Sequence, residues 1–154
     1  MTEIGAFERT SAAVWERPER AILAYRAVVA ALVAGIAETL GRAAIVIDAP
    51  DGHLSGIAVG LLVRVAIYLT VFALAARMLT GSLWARGILV VGLGTVGLAS
   101  LVMEPLGAIF SAQQFGDLLT GWTPNEVLLG LFRAVHVIAV LIFLPAAITA
   151  GRRA

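Results

Sequence analysis

Six ionisable residues stand inside otherwise apolar stretches of this sequence: Arg26, close enough to a span end to snorkel, and five deeper ones, Glu38, Arg64, Glu104, Arg133 and His136. Carboxylates and guanidiniums in such surroundings can pair with one another. Alternatively, the planar fork of the guanidiniums can hold a phosphate or carboxylate. An imidazole among them can carry a proton near neutral pH. Each of these chemistries requires side chains scattered along the chain to be brought into one place.

Other chemistries lack the residues they need. The chain has no cysteine, so disulfides, thiolate metal sites and cysteine nucleophiles are excluded. There is no HExxH, no glycine-rich phosphate loop and no Asp/Glu cluster with metal-ligand spacing. Of the two histidines, His53 falls in a loop and His136 in an apolar block, so one chain cannot supply the bis-histidine ligation of a haem. Ser55, Ser100 and Ser111 have no evident base. The expectation is a protein that is not an enzyme, with no catalytic residue, metal site or cofactor. No basic run or aromatic platform suggests nucleic acid. The expected partners are the lipid bilayer and other membrane subunits or further copies of the chain.

The elements that must position the five residues follow from composition. Apolar residues make up 60% of the 154, charged residues only 14%, and the apolar ones lie in long blocks. Those blocks run from about 22 to 40, 57 to 76, 87 to 110 and 127 to 149. Each approaches the ~20 residues a helix needs to cross ~30 Å of hydrocarbon. Helix is the spanning form, because isolated strands would leave unpaired edges in lipid. The expected fold is an all-α membrane protein, a bundle of four transmembrane helices. Thr123-Pro124-Asn125-Glu126 has the pattern of a capping box with proline at the first helical position. Asp48 to Gly52 reads as a turn. Residues 111–123 read either as a short interfacial helix or as a polar loop. Trp15, Trp84 and Trp122 fall near span ends, where aromatic belts form.

Orientation follows from the arginines, which are the only basic residues besides histidine, since there is no lysine. Arg9, Arg17, Arg20, Arg77, Arg86, Arg152 and Arg153 belong to one side of a four-span chain, and Arg42 alone to the other. The positive-inside rule puts the first set in the cytoplasm and makes the chain N-in and C-in. Residues 1–20 mix acidic and basic side chains and precede an apolar stretch too long for a signal-peptide core. They read as a retained cytoplasmic segment, 21–150 as one transmembrane domain, and 151–154 as a cytoplasmic tail. Arginine-only usage with abundant Ala, Gly, Val and Leu suggests a GC-rich bacterial genome and hence a bacterial inner membrane.

At 1.5 Å per residue, this topology puts Glu38 and Glu104 roughly 5 Å below the outer face and Arg64 and Arg133 roughly 10 Å below it. His136 stands one turn deeper on the face of Arg133. One intramembrane charge costs ~3 kcal/mol at the bilayer centre, so this layer is expected to face the bundle interior or a wet cavity. Three readings fit. The layer is a structural set of ion pairs, including Glu38 with Arg42 at i+4. Or Arg64 and Arg133 bind an anion or lipid headgroup. Or the layer is a polar route with His136 as its titrating member.

Small residues mark packing seams: Gly56 to Gly60, Gly130 to Ala134, and Gly87, Gly92, Gly94, Gly97 and Ala99 in the third block. The third span is therefore expected to be the central helix. Glu104-Pro105 and Pro145 mark expected kinks. The stretches Ser82 to Leu89 (SLWARGIL), Arg133 to Val137 (RAVHV) and Phe143 to Ala147 (FLPAA) resemble small four-span membrane proteins of actinobacteria. That resemblance implies four helices and an inner-membrane location. The functional expectation is a non-enzymatic accessory or assembly subunit, or a homo-oligomer, acting through helix association. The alternative is a small transporter or channel for an ion, proton or anionic or lipid solute using the Arg/Glu layer.

Overall fold

The computed structural model describes residues 15–47, 54–99, 103 and 123–151. The described residues are helical throughout, apart from short turns. Helix α1 spans Pro18–Ile47, α2 Leu54–Leu79, α3 Leu83–Val91 and α4 Pro124–Thr149. Three of them, α1, α2 and α4, are long and apolar enough to cross a membrane. α3 continues into a π-helical stretch, Gly92–Gly97, giving a shorter apolar helix over Leu83–Gly97.

Helix ends are set by local chemistry. Pro18 starts α1 where a missing N–H leaves nothing unsatisfied, with Glu19 in the first turn complementing the helix dipole. α2 ends at Gly81, which takes φ 93°. The Gly81 amide donates to the Met78 carbonyl (2.9 Å) and the Ser82 amide to that of Arg77 (3.2 Å), a Schellman closure. Ser82 then caps α3, its Oγ accepting from the Ala85 amide at 3.3 Å. The expected capping box is present on α4. The Thr123 hydroxyl accepts from the Glu126 amide at 3.3 Å, and the Glu126 carboxylate accepts from the Thr123 amide at 2.7 Å. α4 runs unbroken as helix through Pro145.

Among the described residues the central helix is α1, not the third span. Its buried face is a stripe of Ala21, Ala24, Val28, Ala31, Gly35 and Glu38, spaced alternately by three and four residues. That spacing keeps one face of a helix on a single partner. The partner is chiefly α4, through Ala139, Val140, Phe143, Ala146 and Ala147. Small side chains on both helices allow close backbone approach and dispersion contact along the seam. The glycines of the third block do less than expected. Nothing would meet a Cβ at Gly87 or Gly92, and only at Gly94 is the space tight, where an added Cβ would lie 3.1 Å from Leu144 Cδ2. Gly60 and Gly130 also face open space.

α2 is buried only at its far end, through Ala75, Met78 and Leu79, and the rest of its described side chains are exposed or half-buried. Beside α1 it therefore leaves space over much of its length. The tight end is closed by Trp15, which is fully buried. Its indole N–H donates to the Leu79 carbonyl (3.2 Å), and the Arg86 guanidinium lies 5.5 Å above its ring. The Arg17 amide donates to the Ala150 carbonyl at 3.0 Å, tying the start of α1 to the end of α4. Trp15 is thus a core residue, not the membrane-interface tryptophan expected. Trp84, 65% exposed, remains on the surface. The Asp48 to Gly52 turn, Trp122, Glu104-Pro105 and residues 111–122 lie outside the described residues.

Candidate functional site

The space left between the helices holds a polar cavity of about 300 Å³. α1 contributes Glu38, Thr39 and Arg42, α2 contributes Arg64 and Tyr68, and α4 contributes Arg133 and His136. Leu93 and Gly97 of the π-helical stretch close another side. A π turn widens the helix by one residue and is a frequent device where a helix borders a site. Here it is formed by Gly92-Leu-Gly-Thr-Val-Gly97, and the Thr95 hydroxyl donates to the Val91 carbonyl at 2.6 Å.

Glu38 is the anchor. Only 8% exposed, it accepts from Arg133 through Nη2 at 2.8 Å and Nε at 3.3 Å. The same oxygen, Oε1, also accepts from Arg42 Nε at 3.2 Å. The i+4 pairing named from the sequence is therefore present, and a cross-bundle pairing to Arg133 of α4, which the sequence did not single out, converges on the same carboxylate. The interhelical pair joins the two helices of the central seam. A buried carboxylate needs such partners, because burial without them would cost several kcal/mol.

Arg64 is held differently. Its Nη1 donates to the Thr39 hydroxyl at 3.3 Å, and among the described residues no carboxylate lies within ion-pair distance of it. The Thr39 and Tyr68 hydroxyls are 2.9 Å apart, and the Tyr68 hydroxyl donates to the Gly35 carbonyl, also at 2.9 Å. The donor inventory fixes the direction of this chain. The single proton of Tyr68 goes to Gly35, so Thr39 donates to Tyr68 and its oxygen is free to accept from Arg64. The result is a line of neutral hydroxyls ending on a cation that has no carboxylate partner among the described residues.

His136 lies on the opposite wall. Its Nδ1 is buried and has no hydrogen-bond partner among the described residues. Gly35 makes room for it. A Cβ at Gly35 would lie 3.1 Å from both Cε1 and Nδ1 of His136 and 3.2 Å from the Tyr68 hydroxyl. Gly35 thus serves both walls, supplying a carbonyl to Tyr68 and an absent side chain to His136.

Of the five residues singled out by sequence, Glu38, Arg64, Arg133 and His136 line this one cavity, and Glu104 lies outside the described residues. Thr39, Tyr68, Gly35 and Arg42 line it too, among apolar side chains. Tyr68 carried a readable signal, a polar-tipped aromatic one helical turn beyond Arg64 on the same face. Gly35 carried none, since it is one of 16 glycines. Among the described residues no group of three or more His, Asp or Glu side chains is placed to hold a metal ion. Among the described residues the arrangement offers a fixed carboxylate clamp, a guanidinium without a carboxylate partner, two hydroxyls and an imidazole nitrogen without a hydrogen-bond partner, around a space large enough for a small polar group. No protein-family profile, curated protein or solved structure matches the chain.

Proposed function

We propose that this is a four-span, non-enzymatic protein of a bacterial inner membrane, with both ends in the cytoplasm. On this reading it binds an anionic group in the intramembrane cavity, as a small carrier or solute-handling protein does. The observation that carries the reading is Arg64. A purely structural ion-pair layer matches each guanidinium with a carboxylate, because an unmatched charge within the membrane is costly. Arg64 rests on a neutral hydroxyl at the edge of a cavity and has no carboxylate partner among the described residues, so on this reading a ligand supplies the negative charge. A guanidinium fork suits phosphate or carboxylate. The proposed orientation is supported by the gathering of Arg17, Arg77 and Arg86 at the end closed by Trp15.

The test is thermal unfolding of the purified protein with added inorganic phosphate, since a ligand of the native state alone raises its stability saturably. The reading expects a saturable rise in Tm that Arg64→Gln abolishes. No rise with phosphate, sulfate or acetate would overturn it.

A second reading, association with other membrane subunits or with further copies of the chain, is favoured by Gly60, Gly130 and Ala134. All three are exposed, and a Cβ at either glycine would meet nothing. Such positions admit a neighbouring helix at short range. Native mass spectrometry of gently extracted protein tests it. Co-purifying subunits or a defined oligomer would support association, and a monomer at every protein concentration would exclude it.

A further inference from the structure

Two groups lining the polar cavity lack the partner their chemistry calls for among the described residues, and they stand on different helices. On α2, Arg64 donates to the Thr39 hydroxyl at 3.3 Å and has no carboxylate within ion-pair distance. On α4, His136 Nδ1 is buried without a hydrogen-bond partner. Gly35 of α1 brings the two walls together. A Cβ there would lie 3.1 Å from His136 Nδ1 and 3.2 Å from the Tyr68 hydroxyl, which Thr39 links to Arg64. A buried nitrogen without a partner destabilises the fold relative to an apolar ring of the same shape, which marks His136 as a position for binding rather than for packing.

The other charged and titratable groups lining this space with His136 are Glu38 and Arg42 on α1, Tyr68 beside Arg64 on α2, and Arg133 on its own helix. The π-helical stretch contributes Leu93 and Gly97, neither of them titratable. Glu38 is the one carboxylate among these described residues, and its Oε1 already accepts from Arg133 at 2.8 Å and Arg42 at 3.2 Å. We infer, resting on the anion reading of this cavity, that His136 is a proton site filled together with the anion, so that the two enter as a pair. The proton comes from water and stays on the ring, and no bond of the anion changes. In the empty cavity an imidazolium would be a second positive charge beside that of Arg64, with the described carboxylate engaged by two other guanidiniums. An anion held on Arg64 supplies the opposite charge to both groups. Charges in surroundings of low dielectric are weakly screened, which strengthens that attraction. By linkage each ligand then tightens the binding of the other by the same factor. A ring that is merely packed would leave anion binding indifferent to the proton.

The experiment is isothermal titration calorimetry of the purified protein with sodium sulfate, which unlike phosphate does not titrate near neutral pH. Repeating each titration in buffers of different ionisation enthalpy gives the number of protons taken up per sulfate, and needs no variant. Uptake is expected to reach several tenths of a proton between about pH 6 and 7, where an imidazole titrates. Sulfate affinity should rise as the pH falls through that range, by up to about tenfold per pH unit. His136→Gln should lose both the uptake and the pH slope. Uptake that survives in His136→Gln would assign the proton to another group and overturn the inference. So would sulfate binding to the wild-type protein with no uptake. If Arg64→Gln abolishes that binding, the anion reading stands and only the proton is removed. Failure of sulfate, phosphate and acetate alike to bind at any pH removes both.

Discussion

Replacing Glu38 by Gln keeps its shape and removes its charge, and the structure sets the size of the effect. Oε1 of Glu38 accepts three N–H groups, two from Arg133 and one from Arg42. Breaking a buried pair by removing one partner costs about 3–5 kcal/mol in soluble proteins. Polar contacts between membrane helices measure less, up to about 1.7 kcal/mol, because the unfolded helices also find partners. The Arg133 side chain is 19% exposed and that of Arg42 36%, so solvent or headgroups relieve part of the penalty. Glu38→Gln should therefore destabilise the protein by about 2 kcal/mol. Arg133→Leu should cost about as much, since it strips the carboxylate of its cross-bundle partner. The double variant Glu38→Gln/Arg133→Leu should be less destabilised than the sum of the single changes by at least ~1 kcal/mol, because neither charge of the pair then remains. Equilibrium unfolding in mixed detergent micelles, followed by circular dichroism, reads all three. Single changes each below ~0.5 kcal/mol, or strictly additive energies, would refute the claim that this pair joins α1 to α4.

Gly35→Ala places a methyl 3.1 Å from the His136 ring and 3.2 Å from the Tyr68 hydroxyl. It should cost about 1–3 kcal/mol through overpacking, read in the same unfolding assay, and should also lower phosphate binding because both walls move. Trp15→Phe removes the hydrogen bond to Leu79 and weakens the contact with Arg86, for a loss of about 2 kcal/mol. Hydrogen exchange should then accelerate first at the α2–α3 turn, and uniform acceleration would contradict the local role. Thr123→Ala removes one half of the capping box and should cost about 1 kcal/mol. Its exchange signature should be confined to the first turn of α4.

The helices were legible in the sequence because apolar blocks of ~20 residues admit few other forms. The capping box at Thr123 was legible because its residue pattern is specific. The polar layer was legible as a set of costly residues needing partners, and Glu38, Arg64, Arg133 and His136 do line one space. How they divide was not. Glu38 takes two arginines and Arg64 none of the described carboxylates, a matter of helix rotation that composition does not encode. The place of α1 at the centre was missed because glycine was read as the packing signal. The alanine stripe with its spacing of three and four was the better one, and it was visible in a chain where alanine is common throughout. Trp15 was misplaced for a similar reason. A tryptophan at a span end suits a lipid interface, and only the chain's turn beneath α2 puts it against Leu79 instead.

The central claim is that the cavity between α1, α2 and α4 admits water and an anion within the membrane. Because the chain has no cysteine, a single introduced thiol can report on it directly. The measurement is the rate at which a charged, membrane-impermeant methanethiosulfonate modifies His136→Cys, compared with Leu62→Cys on the exposed apolar face of α2. The account predicts rapid modification of His136→Cys, slowed by inorganic phosphate, and no reaction at Leu62→Cys in the lipid. A thiol at 136 as unreactive as that at 62 would contradict it and leave the polar layer a dry set of ion pairs.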